Sequence, residues 1–365
     1  MSFKSNVFTL DYPRKKGRID LYDFLRGFAM LFVLLQHAGA PGNHYILVFH
    51  MPLFFFLSGL LAGNRELPSF KDYAIIRFKR LMIPYFCFGF LMITVYWITG
   101  LLTNNPYNIA DASYGVFTGQ LGYAPISQNG LYWFFFCMYV ADLMIYPVKR
   151  LYKYSKMTIW GGVLLFVILS WMTTHVYPIP IFMIQQSFMA ATFLLLGGAC
   201  KKYLNCLEDG KFHWWGLVII LAGCAGVILS YSMNDDRVLM LFNQYSNYGW
   251  FFLGAFAGIA ASLAMGKYLY LVFSTIGVSN AVMRFSYGLM MWIGFNSLVL
   301  FPVHLIVNHY FSILYKSLGI NHFPLRFAAM LIVGIPVCNV ITNYLPWMLG
   351  QSRTLKRVEP NRNQK

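Results

Sequence analysis

Residues 18–37 read RIDLYDFLRGFAMLFVLLQH and contain the first long apolar run of the chain. Arg26 and His37 bound that run and lie eleven residues apart. In a helix this spacing makes three turns plus roughly 20°, so both side chains project from one face, about 16 Å apart along the axis. Asp23 lies three residues before Arg26, where the two can pair. Ionisable groups within a membrane helix indicate function, although this spacing equally allows a buried His37 that caps the helix end.

The sequence as a whole has the composition of an integral membrane protein. Of its 365 residues, 58% are hydrophobic and 11% are charged, whereas soluble domains carry about 25% charged residues. A span needs roughly 20 mostly apolar residues. We therefore predict an all-α, polytopic fold with about ten transmembrane helices, at residues 22–39, 46–63, 83–102, 131–148, 158–176, 181–200, 214–232, 247–266, 287–315 and 324–348. Residues 268–284 are moderately apolar and could form an interfacial helix or part of another span.

The distribution of basic residues predicts the orientation of these helices. If the N-terminus is cytoplasmic and the spans alternate, 25 of the 28 Lys and Arg residues fall on the inner side, as the positive-inside rule requires. The net charge of +16 therefore reflects topology and does not indicate a nucleic-acid partner. We predict a basic cytoplasmic segment at 1–21, a membrane domain at 22–348 and a basic cytoplasmic tail at 349–365, with no cleavable signal peptide.

The longest outer loop and the cysteines carry weaker signals. Residues 103–130 contain no Lys or Arg and are rich in Asn, Tyr, Gly and Ser. That composition suits contact with a polar, uncharged or sugar-like ligand, and equally suits a solvated loop. None of the six cysteines forms a CxxC pair, so we interpret them as small apolar residues.

A second histidine follows the first helix in the stretch FHMPLFFFLSGLL, residues 49–61. Pro52 suits the first turn of a helix, which would put His50 at the outer start of the second span. Only twelve residues separate His37 from His50, so the two imidazoles are expected to approach each other. Such a pair suits acid–base chemistry or mutual orientation. A metal site would need a third ligand, and the spacing of His44 and His304 is not diagnostic, so no metal is predicted.

A basic cluster precedes the third span in RFKRLMIPYF, residues 77–86. Arg77 and Arg80 share a helix face, and guanidinium groups suit phosphate binding. The alternative is that they set topology or contact anionic lipid.

Four further polar or aromatic residues lie within predicted spans. Asp142 could orient a reacting group or pair with the arginine cluster. Asn296 and His304, eight residues apart, share a face within about 80°, and His304 could be a site residue or a satisfied core group. Trp133 could stack on a sugar ring or belong to the interfacial belt.

Several of these motifs together resemble the acyltransferase 3 family of bacterial membrane acyltransferases. The resemblance covers residues 18–348 and rests on an R-x10-H run preceded by an Asp, an R-x-x-R pair before L-x-x-P-Y, and the segments FHMPLFFFLSG (49–59), LYWFFFCMYV (131–140) and FNSLVLFPVH (295–304). The absence of any soluble domain resembles the compact, fucose 4-O-acetylase-like members of the family.

What the resemblance implies is O-acylation of a glycan in the bacterial cytoplasmic (inner) membrane, with acetyl-CoA as the donor substrate and no bound cofactor. The expected acceptor is an O-antigen, capsule, exopolysaccharide or lipid-linked sugar. His37 would act as general base or transient acyl carrier. The predicted catalytic residues are His37, His50 and Asp23. The residues predicted to bind the donor or the acceptor are Arg26, Arg77, Arg80, Trp133, Asn296 and His304.

Two other functions would fit parts of this pattern. A multi-pass transporter or flippase for an anionic or glycan substrate would also use buried histidines and a basic inner face, but no inverted repeat with interrupted helices is visible. A polysaccharide polymerase would need charged outer loops, and residues 103–130 contain only one acidic residue, Asp111.

Overall fold

The computed structural model of the chain describes residue 10 and residues 19–62, 67–104, 108–120, 133–152, 155–234, 237–276, 280–319 and 322–351. Within these residues the fold is all-helical, and the only β-type pairing is an isolated bridge between Leu239 and Gln244. The described helices of ten or more residues are α1 (Asp20–Ala38), α2 (Asn43–Ala62), α3 (Phe70–Leu102), α4 (Ile109–Thr118), α5 (Trp133–Tyr152), α6 (Met157–His175), α7 (Ile184–Cys200), α8 (Trp214–Ser232), α9 (Tyr248–Ile276), α10 (Ala281–Ser317) and α11 (Phe323–Tyr344).

Seven of the described helices are long and apolar enough to cross a membrane, namely α2, α3, α6, α8, α9, α10 and α11. The other three predicted spans are also helices, α1, α5 and α7, but α7 has only 17 residues and α1 and α5 carry charged side chains. The membrane-protein fold is thus confirmed, while the number of ten spans stays a prediction. Most of the predicted terminal segments 1–21 and 349–365 lies outside the described residues.

Burial separates central helices from peripheral ones. In its most apolar stretch α10 has 78% of its residues buried, against 22% for α8 and 28% for α6. Apolar side chains that find no protein partner are left for lipid, so α6 and α8 lie at the periphery. The helix pairs with the most extensive packing include α1 with α10, α2 with α7, and α8 with α9.

The contact between α1 and α10 depends on two small residues that let the backbones touch. A Cβ atom at Gly294 would overlap the backbone of Asp23, and one at Gly27 would overlap the backbone of Met290. Close approach through small residues is a common way to join membrane helices, because apolar side chains gain little by leaving lipid. The contact fixes the distance between the two helices that later contribute histidines to one site.

Two predicted boundaries were wrong. The third helix was expected from residue 83 but begins at Phe70, where the Ser69 side chain accepts the backbone N–H of Asp72 and caps the helix. The eighth span was expected to end at residue 266, but α9 continues to Ile276. Of the two alternatives for residues 268–284, the described parts therefore belong to neighbouring helices, because α10 begins at Ala281.

A polar cluster on the predicted cytoplasmic side joins the connection between α7 and α8 to the Lys267 side chain of α9. Lys267 Nζ donates to Asp209 Oδ1 at 2.7 Å, and His213 Nε2 contacts Asp209 Oδ2 at 2.6 Å. These two hydrogen bonds hold the pKa of the Asp209 carboxyl below its ordinary value.

Candidate active site

A cavity of about 410 Å³ lies where α1, α2 and α10 meet. Its walls come from the end of α1, the first half of α2, the second half of α10, the segment 238–242 and single residues of α5 and α11. These parts all lie at the helix ends that the charge distribution assigns to the outer side. The polar side chains of the lining are Gln36, His37, His50, Asn308, His309, Ser312 and Arg326.

His37 lies in the last turn of α1 and lines this cavity. The helix ends directly after it, because Gly39 adopts the left-handed conformation with φ of 78°, which glycine tolerates at no steric cost. The Ala40 N–H then donates back to the Leu35 carbonyl at 3.1 Å. The turn predicted from the Gly and Pro residues after His37 therefore holds the imidazole at the cavity wall.

His304, on α10, is the nearest ring neighbour of His37, with 5.2 Å between the ring centroids. Its side chain is completely buried, and its Nδ1 lies 3.0 Å from the Leu300 carbonyl oxygen. A carbonyl can only accept, so Nδ1 carries the hydrogen and Nε2 is an acceptor. That Nε2 atom has no hydrogen-bond partner within the described part of the chain.

His50 lines the same cavity from α2 and is 6% exposed. Its Nδ1 donates to the Ile46 carbonyl at 2.8 Å, so its Nε2 is available as an acceptor. The expected approach of the two histidines is therefore seen as a shared cavity. The expected position of Pro52 was wrong, since α2 begins at Asn43 and Pro52 lies inside the helix.

The backbone carbonyl of His37 is held by two side chains that the sequence did not single out as site residues. Asn308 Nδ2 donates to it at 3.1 Å and Arg326 Nη2 at 3.2 Å, while Arg326 Nε donates to Asn308 Oδ1 at 3.2 Å. A cation suits the C-terminal end of α1. The sequence does mark Arg326 as unusual, because it is one of only three basic residues that the predicted topology puts on the outer side.

Asp23 and Arg26 lie at the other end of α1. Asp23 is buried and forms an ion pair with Arg26, with 3.7 Å between Oδ1 and Nη1. Neither residue lines the cavity, and about 16 Å of helix separates Arg26 from His37. The structure therefore brings together the predicted pair but not the predicted catalytic set of Asp23 with the two histidines.

Arg77 and Arg80 have different surroundings although they share a face of α3. Arg77 forms a buried ion pair with Asp142 of α5, its Nε lying 2.6 Å from Oδ2, and Tyr73 donates to the same carboxylate at 3.2 Å. Arg80 is exposed. Of the two roles considered for Asp142, the structure shows the ion pair with the arginine cluster.

The remaining predicted residues divide between the cavity and the core. Trp133 is 5% exposed, lines the cavity and contacts the Phe55 ring edge to face, so it lies inside the bundle and not in a lipid-facing belt. Asn296 is buried below the cavity and donates to the Trp292 carbonyl at 3.0 Å. His44 contacts the rings of Tyr45 and Tyr231 outside the cavity lining. Within the described residues no three His, Cys, Asp or Glu side chains are grouped to hold a metal ion.

The chain matches a known protein family. The family model of the acyltransferase 3 type, described as an acyltransferase domain, matches residues 19–343. This range contains α1 to α11 apart from the last residue of α11. No curated protein and no solved structure matches the chain.

Proposed function

Because the chain belongs to the acyltransferase 3 family, we propose that it transfers an acetyl group from cytoplasmic acetyl-CoA to a hydroxyl of a surface or lipid-linked glycan in the bacterial inner membrane, with His37 as the general base. The family and the apolar helices support membrane acyltransferase activity in general. The donor, the acceptor and the base belong to the proposal. The observation that carries the proposal is the position of His37 at the wall of a cavity shared with His50.

The chemistry needs a base near neutral pH, since a sugar hydroxyl is a weak nucleophile. An imidazole suits this task. One ring nitrogen of His37 removes the hydroxyl proton while the oxygen attacks the thioester carbonyl carbon. The carbon–sulfur bond then breaks, and the leaving CoA thiolate takes the proton back from His37. The products are an O-acetyl ester and free CoA, and His37 returns to its neutral state.

The cavity suits a sugar acceptor in size and lining. Its volume of about 410 Å³ lies within the range of about 300–1,000 Å³ typical of ligand sites. Trp133 and Phe301 offer aromatic faces, and Gln36, Asn308 and Ser312 offer hydrogen-bonding groups. Aromatic faces with neutral polar groups are a common environment for sugar rings.

The donor phosphates are proposed to bind at the cytoplasmic end of the bundle. Arg80 is exposed there, and Arg26 lies at the inner end of α1. Arg77 is the weaker candidate, because its side chain is less exposed than that of Arg80. The extended pantetheine arm would carry the thioester along the bundle toward His37, which lies about 16 Å further along α1 than Arg26.

The base assignment is tested with purified protein in detergent, acetyl-CoA and the surface glycan of the bacterium that encodes the chain. Wild-type protein is expected to release free CoA in a glycan-dependent manner. His37→Ala is expected to lower that rate by about 100-fold or more. His44→Ala is the control, because His44 lies outside the cavity lining, and it is expected to keep the wild-type rate. Undiminished turnover by His37→Ala contradicts the assignment of the base, and a wild type that releases no CoA contradicts the donor.

The donor site is tested separately by the apparent KM for acetyl-CoA. Arg80→Ala is expected to raise this KM by about tenfold, the value of one charge-assisted contact of roughly 1.4 kcal/mol. Lys79→Ala, an equally exposed neighbour, serves as the matched control. An equal change in KM in the two variants would contradict donor binding by Arg80 and would favour its alternative role in setting topology.

A further inference from the structure

His304 does not line the cavity and takes no part in the proton transfer described above, yet it is the ring closest to His37. We infer that His304 is a positioning residue for His37: its Nε2 accepts a hydrogen bond from one ring N–H of His37 and so turns the other ring nitrogen toward the cavity. This inference rests on the proposed function, because it assigns a role within the same site.

The hydrogen-bonding state of His304 follows from its own helix. The Leu300 carbonyl oxygen, one turn earlier on α10, lies 3.0 Å from Nδ1 and fixes the hydrogen there. Nε2 is therefore an acceptor. It is buried and has no hydrogen-bond partner among the described residues. A buried acceptor without a donor costs free energy, so we expect an N–H or O–H group to donate to this atom.

The polar groups around His37 point to its own ring N–H as the donor to His304 Nε2. The titratable and charged groups that act on it are His304 from α10, His50 from α2 and Arg326 from α11. Arg326 is bonded to the His37 carbonyl and to Asn308, and the Nδ1 hydrogen of His50 is bonded to Ile46. Neither of those groups donates to His304 in the structure.

The geometry allows the contact. A centroid separation of 5.2 Å lets one nitrogen of each ring meet at hydrogen-bond distance when the rings turn edge to edge. Phe301 contacts the His304 ring edge to face, at 5.8 Å between centroids, and limits its movement. Gly27 and Gly294 fix the spacing of the two helices.

The consequence for catalysis is a base with a defined tautomer. With one N–H of His37 held by His304, the lone pair on the other nitrogen faces the cavity and the acceptor hydroxyl. When His37 takes the proton, the N–H that faces His304 becomes a charge-assisted donor, so this hydrogen bond strengthens as the transition state forms. His304 itself neither gains nor loses a proton.

The test compares two amides that differ in where they present their polar atoms. His304→Gln places an amide oxygen near the position of Nε2, whereas His304→Asn reaches only the position of Nδ1. We expect kcat for acetyl transfer to fall by about 10- to 100-fold in His304→Asn and clearly less in His304→Gln, with the KM for acetyl-CoA unchanged in both. His44→Asn is the matched control and keeps the wild-type kcat.

Two results would overturn the inference: a wild-type kcat in His304→Asn, or equal losses in the Asn and Gln variants, which would indicate packing alone. If His304→Asn does not fold, His304→Phe replaces it, since it fills the space and cannot accept a hydrogen bond. Failure of the proposed function is a different result, namely full activity of His37→Ala or no acetyl transfer by the wild type.

Discussion

The buried ion pair between Arg77 and Asp142 provides the sharpest test of how α3 and α5 are held together. Arg77→Ala leaves the Asp142 carboxylate, which is 1% exposed, without the cation that is bonded to it. The Tyr73 hydroxyl, at 3.2 Å, is the other hydrogen-bond donor seen on this carboxylate. A buried charge that has lost its partner is strongly destabilising, and one hydrogen bond compensates for only part of the loss.

The size of the effect follows from that arrangement. Breaking a buried pair costs about 3–5 kcal/mol. The remaining bond from Tyr73 favours the lower end, so we expect about 3 kcal/mol. At about 2–4 °C per kcal/mol in domains of ordinary size, and less in a longer chain, Tm is expected to fall by roughly 5–10 °C. Arg77→Leu/Asp142→Leu removes both charges and is expected to lie within about 1 kcal/mol of the wild type.

The assay is thermal unfolding of the detergent-purified variants at neutral pH. Lys79→Ala, at an exposed position of α3, is the control and is expected to shift Tm by about 1 °C or less. An unchanged Tm in Arg77→Ala, or a double variant no more stable than the single one, would refute the structural role of this pair.

Three further predictions concern other parts of the fold. Gly294→Ala should lower stability by about 1–3 kcal/mol in thermal unfolding, because its Cβ overlaps the α1 backbone, whereas Gly288→Ala, with open space around it, should be neutral or stabilising. Asp209 is stabilised by its two basic partners, so its folded pKa lies below the unfolded value of about 3.9. Its contribution is therefore complete at neutral pH and declines as the pH falls below about 4, and Asp209→Asn should flatten that part of the Tm–pH curve. Asn308→Ala should lower kcat by about tenfold without changing the KM for acetyl-CoA, because it removes one of the two donors to the His37 carbonyl; a rise in that KM alone would contradict this role.

The sequence alone predicted the helical membrane fold and the register of the first helix. Hydropathy and period located α1 and α2 to within a few residues, because an apolar run flanked by polar residues has few alternatives in a membrane. The start of α3 was missed for a physical reason. Charged residues at 71–80 lower the local hydropathy, yet they do not interrupt a helix that is capped at Ser69.

The site was predictable only where its residues are close in the chain. The shared cavity of His37 and His50 followed from a connection of twelve residues. The contacts of His37 with His304, Asn308 and Arg326 join residues more than 260 positions apart. They depend on how α1 packs against α10 and α11, and no local pattern encodes that packing. The partner of Arg77 was foreseen as one of two alternatives, and only the structure selected it.

In the proposed function, His37 catalyses acetyl transfer from acetyl-CoA to a glycan hydroxyl. The most direct measurement supplies purified protein in lipid vesicles with acetyl-CoA labelled in the acetyl group and with the surface glycan, and then measures label in glycan esters. We predict that the wild type forms labelled ester and free CoA in equal amounts and that His37→Ala forms neither. The absence of labelled ester with the wild type would contradict the proposed acetyl transfer, and undiminished labelling by His37→Ala would contradict the catalytic role of His37.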